Sequence, residues 1–91
     1  MPAESAESET PQKKSLRAMI ALPTRELTNQ VFQQALKINN FLGADKKIAI
    51  RSVMGGLPIN EDLQFFKRKT AELVIGTSGR INELLKRNAF H

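Results

Sequence analysis

The sequence predicts an α/β protein with a short parallel sheet, its elements in the order βαβαβα. Three observations carry that expectation. Short apolar runs alternate with segments of helical period along the chain. Those runs are near-continuously apolar, as suits strands covered on both faces. Glycine or proline punctuates each passage from strand to helix. Strands alternating with helices imply parallel pairing through right-handed crossovers.

Each element has its own signal. Residues 16–22, LRAMIAL, are an apolar run stopped by Pro23 and read as the first strand. Thr24 stands at the N-cap of the first helix, with Glu26 behind it. Leu27, Val31, Ala35, Ile38 and Leu42 fall on one helical face, and Gly43 closes the segment. Residues 47–54, KIAIRSVM, are the second strand, stopped by Gly55-Gly56. Pro58 and Asn60 open the second helix. Glu61 and Asp62 suit its positive N-terminal end, and Lys67-Arg68-Lys69 suits the other end. Leu63 and Phe66 give that helix its apolar stripe. Residues 72–75, ELVI, are the third strand, and Gly76-Thr77-Ser78-Gly79 turns into a third helix with Ile81, Leu84 and Leu85 inside.

The chain has 91 residues, room for one domain. A domain of this size buries only ~60% of its unfolded surface. Three strands would also leave open sheet edges, which invite pairing. The pattern therefore reads as part of a larger sheet. Residues 1–14, MPAESAESETPQKK, hold no large apolar side chain after Met1 and read as a disordered acidic tail or loop. The folded part is expected over residues 15–91.

Charge and composition narrow the chemistry. Lys plus Arg is 14 against 9 Asp plus Glu, a net charge of +5. Glu4, Glu7 and Glu9 precede every base, so from Lys13 onward 14 bases face 6 acids, a balance of +8. A basic body favours anionic partners, nucleic acid first. Solubility alone also explains a net charge away from zero. With no Cys there is no disulfide, thiolate metal site or cysteine nucleophile. The single His is His91, at a terminus that frays. No apolar run approaches the ~18 residues of a membrane helix, and no secretory leader opens the chain. The expected compartment is intracellular, with no membrane partner.

Ligands of open parallel sheets sit outside the carboxyl ends of the strands. Here those ends are Pro23-Thr24-Arg25-Glu26, Gly55-Gly56 and Gly76-Thr77-Ser78-Gly79-Arg80. Each leads to a helix N-terminus, where free N–H groups and the dipole favour anions. Thr24 and Thr77 add hydroxyls; Arg25 and Arg80 add forked guanidiniums suited to phosphate. Three aligned phosphate-sized sites suit a polymer with repeated phosphates. A structural reading stands beside each. The threonines serve as N-caps, Gly55-Gly56 as a tight turn, and the arginines as surface charges or partners of Glu26 and Glu83. No G-x-x-x-x-G-K-[ST] loop and no G-x-G-x-x-G follows a strand, and no reaction centre emerges.

Three stretches carry a family resemblance. Ala21-Leu22-Pro23-Thr24-Arg25-Glu26-Leu27 resembles motif Ia of the DEAD-box RNA helicases. Met54-Gly55-Gly56 is similar to their GG motif, and Gly76-Thr77-Ser78-Gly79-Arg80-Ile81 to motif Ib. Order and spacing agree over residues 15–90. The resemblance implies a partial RecA-like domain of the P-loop NTPase type, with three layers, and a fragment of an ATP-dependent RNA helicase. It implies RNA-backbone contacts at Pro23, Thr24, Arg25, Glu26, Gly55, Gly56, Thr77, Gly79 and Arg80, without sequence readout. Arg25 and Arg80 would contact phosphates or brace the loops. Ser78 stands where the family usually has Pro, which implies weaker preorganisation of that helix start.

The same resemblance sets what the chain lacks. The phosphate-binding loop is expected upstream of Met1, and the Asp-Glu-Ala-Asp strand and second RecA-like domain downstream of His91. ATP and magnesium are implied for the whole helicase and no cofactor for this segment, which is expected to be catalytically inactive. The remainder of the helicase core is the expected flanking partner, RNA the expected ligand, and nucleus or cytoplasm the expected location. The alternative is a stand-alone, non-catalytic module for RNA or protein binding.

Overall fold

The computed structural model describes residues 15–90. The acidic tail expected over residues 1–14 lies outside them, as does His91. Strand β1 (Ala18–Leu22) leads to helix α1 (Arg25–Asn40). Strand β2 (Ile50–Val53) leads to α2 (Ile59–Arg68), and β3 (Leu73–Thr77) runs directly into α3 (Ser78–Lys86). The sheet is wholly parallel and ordered β1-β3-β2. This is the α/β architecture with a short parallel sheet that the alternation predicts, and it agrees with the partial RecA-like fold that the resemblance implies.

The strand order follows from the connections. The crossover through α1 skips one position and the crossover through α2 returns to fill it. Right-handed crossovers in opposite directions place α1 and α2 on opposite faces. The central strand β3 is the most buried, and Val74 and Ile75 are fully so. Val74 joins Val53, Phe66, Ala71, Ile81 and Leu84 in the core under α2 and α3. Gly76 shares that face. A Cβ there would collide with the Val53 side chain and lie 2.6 Å from the Val53 carbonyl oxygen and 3.0 Å from Ile81 Cγ1. Only glycine lets β2 and α3 close on β3 at this point.

Three local expectations change. Helix α1 buries Thr28 and half-buries Val31, Phe32, Ala35, Leu36 and Asn39, while Leu27 and Ile38 are 42% and 65% exposed and Leu42 is exposed too. Its apolar residues spread over about half of the helix circumference, wider than one stripe, so period alone did not single out the inner face. Thr28 can be buried because its hydroxyl donates to the Thr24 carbonyl at 2.8 Å. Strand β2 is shorter than residues 47–54. The peptide groups of Ile48 pair instead with the Asn39 amide, at 3.1 and 3.0 Å. Strand β3 and helix α3 meet with no loop between them, so Gly76 and Thr77 are strand and Ser78 and Gly79 are helix. Ile81 and Leu84 are inside as expected, whereas Leu85 is exposed.

Candidate nucleic-acid interface

The register brings the strand ends level. Leu22 lies beside Thr77, and Val53 beside Gly76. The segments that follow β1 and β2, and the start of α3, therefore share one edge of the sheet. Lys67, Arg68 and Lys69 close α2 at its other end, away from that edge.

At the first turn, Pro23, Thr24, Arg25 and Glu26 are exposed. Thr24 is the N-cap: its hydroxyl accepts from the Leu27 N–H at 3.1 Å. At the second, Gly56 has φ +86°, a left-handed conformation natural to glycine. The Arg25 guanidinium lies against it, since a Cβ on Gly56 would be 3.1 Å from Arg25 Nη1. At the third, Thr77 is buried at the N-cap of α3 but makes no side-chain cap bond. Its hydroxyl instead accepts from the Gly55 N–H at 2.9 Å. Gly79 is exposed, with open space where a Cβ would point.

The three turns are thus tied to one another. Thr77 holds Gly55, Arg25 covers Gly56, and the Ser78 hydroxyl donates to the Leu22 carbonyl at 3.1 Å. The Ser78 contact was not legible beforehand. Where Pro would preset a dihedral, Ser adds a bond between the third turn and the first strand.

Arg80 differs from its expectation as a phosphate contact. It is only 6% exposed. Its Nη1 donates to Asp62 Oδ2 at 2.8 Å, its Nη2 donates to the Leu57 carbonyl, and its Nε lies 3.4 Å from Glu83 Oε1. A guanidinium so engaged is a brace, the second role that the resemblance allowed. The other Asp62 oxygen, Oδ1, accepts from Arg51 Nη2 at 3.0 Å, and the Arg51 guanidinium sits 4.0 Å from the centre of the Phe65 ring. Asp62, read from sequence as a helix-start charge, is buried. Its partners come from β2 and α3 and have no sequence-local signature.

The exposed edge therefore presents Thr24, Arg25, Gly56, Gly79 and the free amides of helix starts to solvent. Such a surface suits phosphate oxygens, through one forked cation and neutral donors. It holds no nucleophile poised beside a base. Among the described residues no three His, Cys, Asp or Glu converge as a metal site. Among the described residues, no helix is long and apolar enough to cross a membrane.

Comparison with known proteins bears on the same residues. A sequence model described as DEAD/DEAH box helicase matches residues 3–91. The chain is 33% identical over 79 residues to the DEAD-box ATP-dependent RNA helicase CshB of Listeria monocytogenes, covering 87% of this chain and 18% of that protein. It is 36% identical over 88 residues to DEAD-box ATP-dependent RNA helicase 13 of Oryza sativa subsp. japonica, covering 97% of this chain and 10% of that one. With CshB of Bacillus subtilis it shares 38% identity over 80 residues, 87% of this chain and 18% of the relative. The chain spans under a fifth of the length of these relatives.

Proposed function

The chain belongs to the DEAD/DEAH box helicase family, and from that premise we propose that it is a segment of an ATP-dependent RNA helicase core that grips the RNA sugar–phosphate backbone. The observation that carries this reading is the shared edge. Three helix starts, tied together through Thr77, Arg25 and Ser78, stand side by side at the carboxyl ends of three parallel strands. Helix-start amides attract phosphate, and one edge with several of them suits a chain of phosphates. Pro23, Thr24, Arg25, Glu26, Gly55, Gly56 and Gly79 form or shape the contact surface. Thr77 and Arg80 act from beneath it. RNA is held without sequence readout, because these groups reach phosphates and sugars and not base edges.

ATP binding and hydrolysis belong to the rest of the helicase core, which supplies the nucleotide and magnesium site. That remainder also covers surface left open here. Ile38 and Phe41 are 65% and 90% exposed, and among the described residues β1 and β2 each have one unpaired edge. The place of work is wherever the RNA is, in nucleus or cytoplasm.

The test is fluorescence anisotropy with labelled oligouridylate and oligoadenylate over a salt series. Both are expected to bind alike, with affinity falling steeply as salt rises, since phosphate contacts release counterions. Binding that prefers one sequence, or that ignores salt, would reject the proposal.

A further inference from the structure

Two acids open α2, and they have different surroundings. Glu61 is exposed, whereas Asp62 is 6% exposed. Attraction to the helix dipole accounts for an exposed acid in a first turn. It does not account for a buried one, because removing a carboxylate from water costs more than the dipole returns. The partners of Asp62 do account for it. Arg51 Nη2 lies 3.0 Å from Oδ1, and Arg80 Nη1 lies 2.8 Å from Oδ2.

The network continues to the edge. The second amino group of Arg80 donates to the carbonyl of Leu57, the residue after Gly56. Arg51 is held in turn against Phe65. One carboxylate thus connects β2, the first turn of α2, the first turn of α3 and the loop that carries Gly55 and Gly56. Arg25 lies against the face of Gly56, and Arg80 holds the carbonyl of the residue that follows it.

We propose that Asp62 is a positioning residue for RNA binding: by holding Arg80 on the Leu57 carbonyl, it fixes the Gly55–Gly56 turn in register with the other two turns. The role rests on the RNA-binding reading above. Asp62 itself touches no RNA. Arg80 must be arginine, because only a planar fork reaches the carboxylate and the carbonyl together.

Two readouts on the chain separate this role from a merely structural one. The first is amide hydrogen exchange at Gly55, whose N–H is held by the Thr77 hydroxyl, with Val74 and Ile75 as internal references. The second is oligouridylate affinity against salt. Asp62→Asn and Arg80→Lys are each expected to speed exchange at the turn by more than at the reference amides, which report any global loss of stability. Each should weaken RNA binding about tenfold, the scale of one lost hydrogen bond to a charged group, with the salt slope unchanged. Arg25→Ala should do the reverse: unchanged exchange, and a slope lowered by about one. If Asp62→Asn does not fold, Arg80→Lys, which keeps the charge on the carboxylate, carries the test. Unchanged exchange at the turn in Arg80→Lys would overturn the proposal. So would a lowered slope in Arg80→Lys, which would make Arg80 a direct contact. Should the unmodified chain bind no oligouridylate, the RNA reading falls, while the exchange readout still decides whether Asp62 sets the turn.

Discussion

The Thr77 hydroxyl accepts the Gly55 amide hydrogen at 2.9 Å, joining the end of the central strand to the turn that follows its neighbour. Thr77 is 8% exposed, so the bond is shielded from water and little else could satisfy that amide. It also occupies the hydroxyl that would otherwise cap α3, and so the helix begins without a side-chain cap. A residue chosen by its type as a helix cap works here as a clasp between two loops.

Thr77→Val keeps the shape and removes the acceptor. It is expected to cost about 1–3 kcal/mol, because the Gly55 N–H is then left unpaired. Thr77→Ser should recover most of that loss. Urea unfolding of the three proteins side by side is the check. A valine variant as stable as the parent would mean that the clasp is idle.

Gly76→Ala tests the close approach of β2 to β3. The added methyl group meets the Val53 side chain and carbonyl, and the central strand cannot move away from a partner on either side. A loss of about 1–3 kcal/mol or more is expected, from overpacking of an otherwise filled core. Thermal melting followed by circular dichroism would register it as a clear fall in Tm. Gly79→Ala, with open space at its Cβ, should leave Tm unchanged or slightly raised.

The two arginines of the edge should behave differently. Arg25 is exposed, and Arg25→Ala is expected to weaken all RNA sequences alike and lower the salt slope by about one. Arg80 is engaged with Asp62 and Leu57, and Arg80→Ala should first reduce stability, by about 1–3 kcal/mol, since it removes one of the two cationic partners of a buried carboxylate and leaves Arg51 as the other. Equal effects of both variants on the salt slope, with no change in stability, would contradict this division of roles.

The purified chain is expected to show no RNA-stimulated ATP hydrolysis. A coupled phosphate-release assay with saturating RNA checks this directly, and turnover above the no-protein control would refute it.

Much of this fold was legible in the linear pattern, for definite reasons. The apolar runs over residues 16–22, 47–54 and 72–75 read as strands, and helical spacing between them implied a parallel, alternating architecture; the expected cover on both faces holds for the central strand, whereas Ala18, Ile20 and Ala21 of β1 are exposed. The turn residues were also readable, since Thr24 as an N-cap and Gly56 in a left-handed turn depend on local backbone chemistry. Local signals act over three or four residues, and sequence displays them directly.

Other features depend on which distant atoms meet. The inner face of α1 turned toward Thr28 because the sheet was there to receive it and the Thr24 carbonyl could take its hydroxyl. Whether Arg80 faced solvent or a carboxylate depended on Asp62, eighteen positions earlier, becoming its neighbour. Ser78 found the Leu22 carbonyl only because β1 and β3 pair in register. Charge and hydroxyl groups are placed by residue type, but their partners are assigned by packing. Burial raises the cost of leaving them unpaired, so the tertiary contacts settle which of them remain at the surface for a ligand.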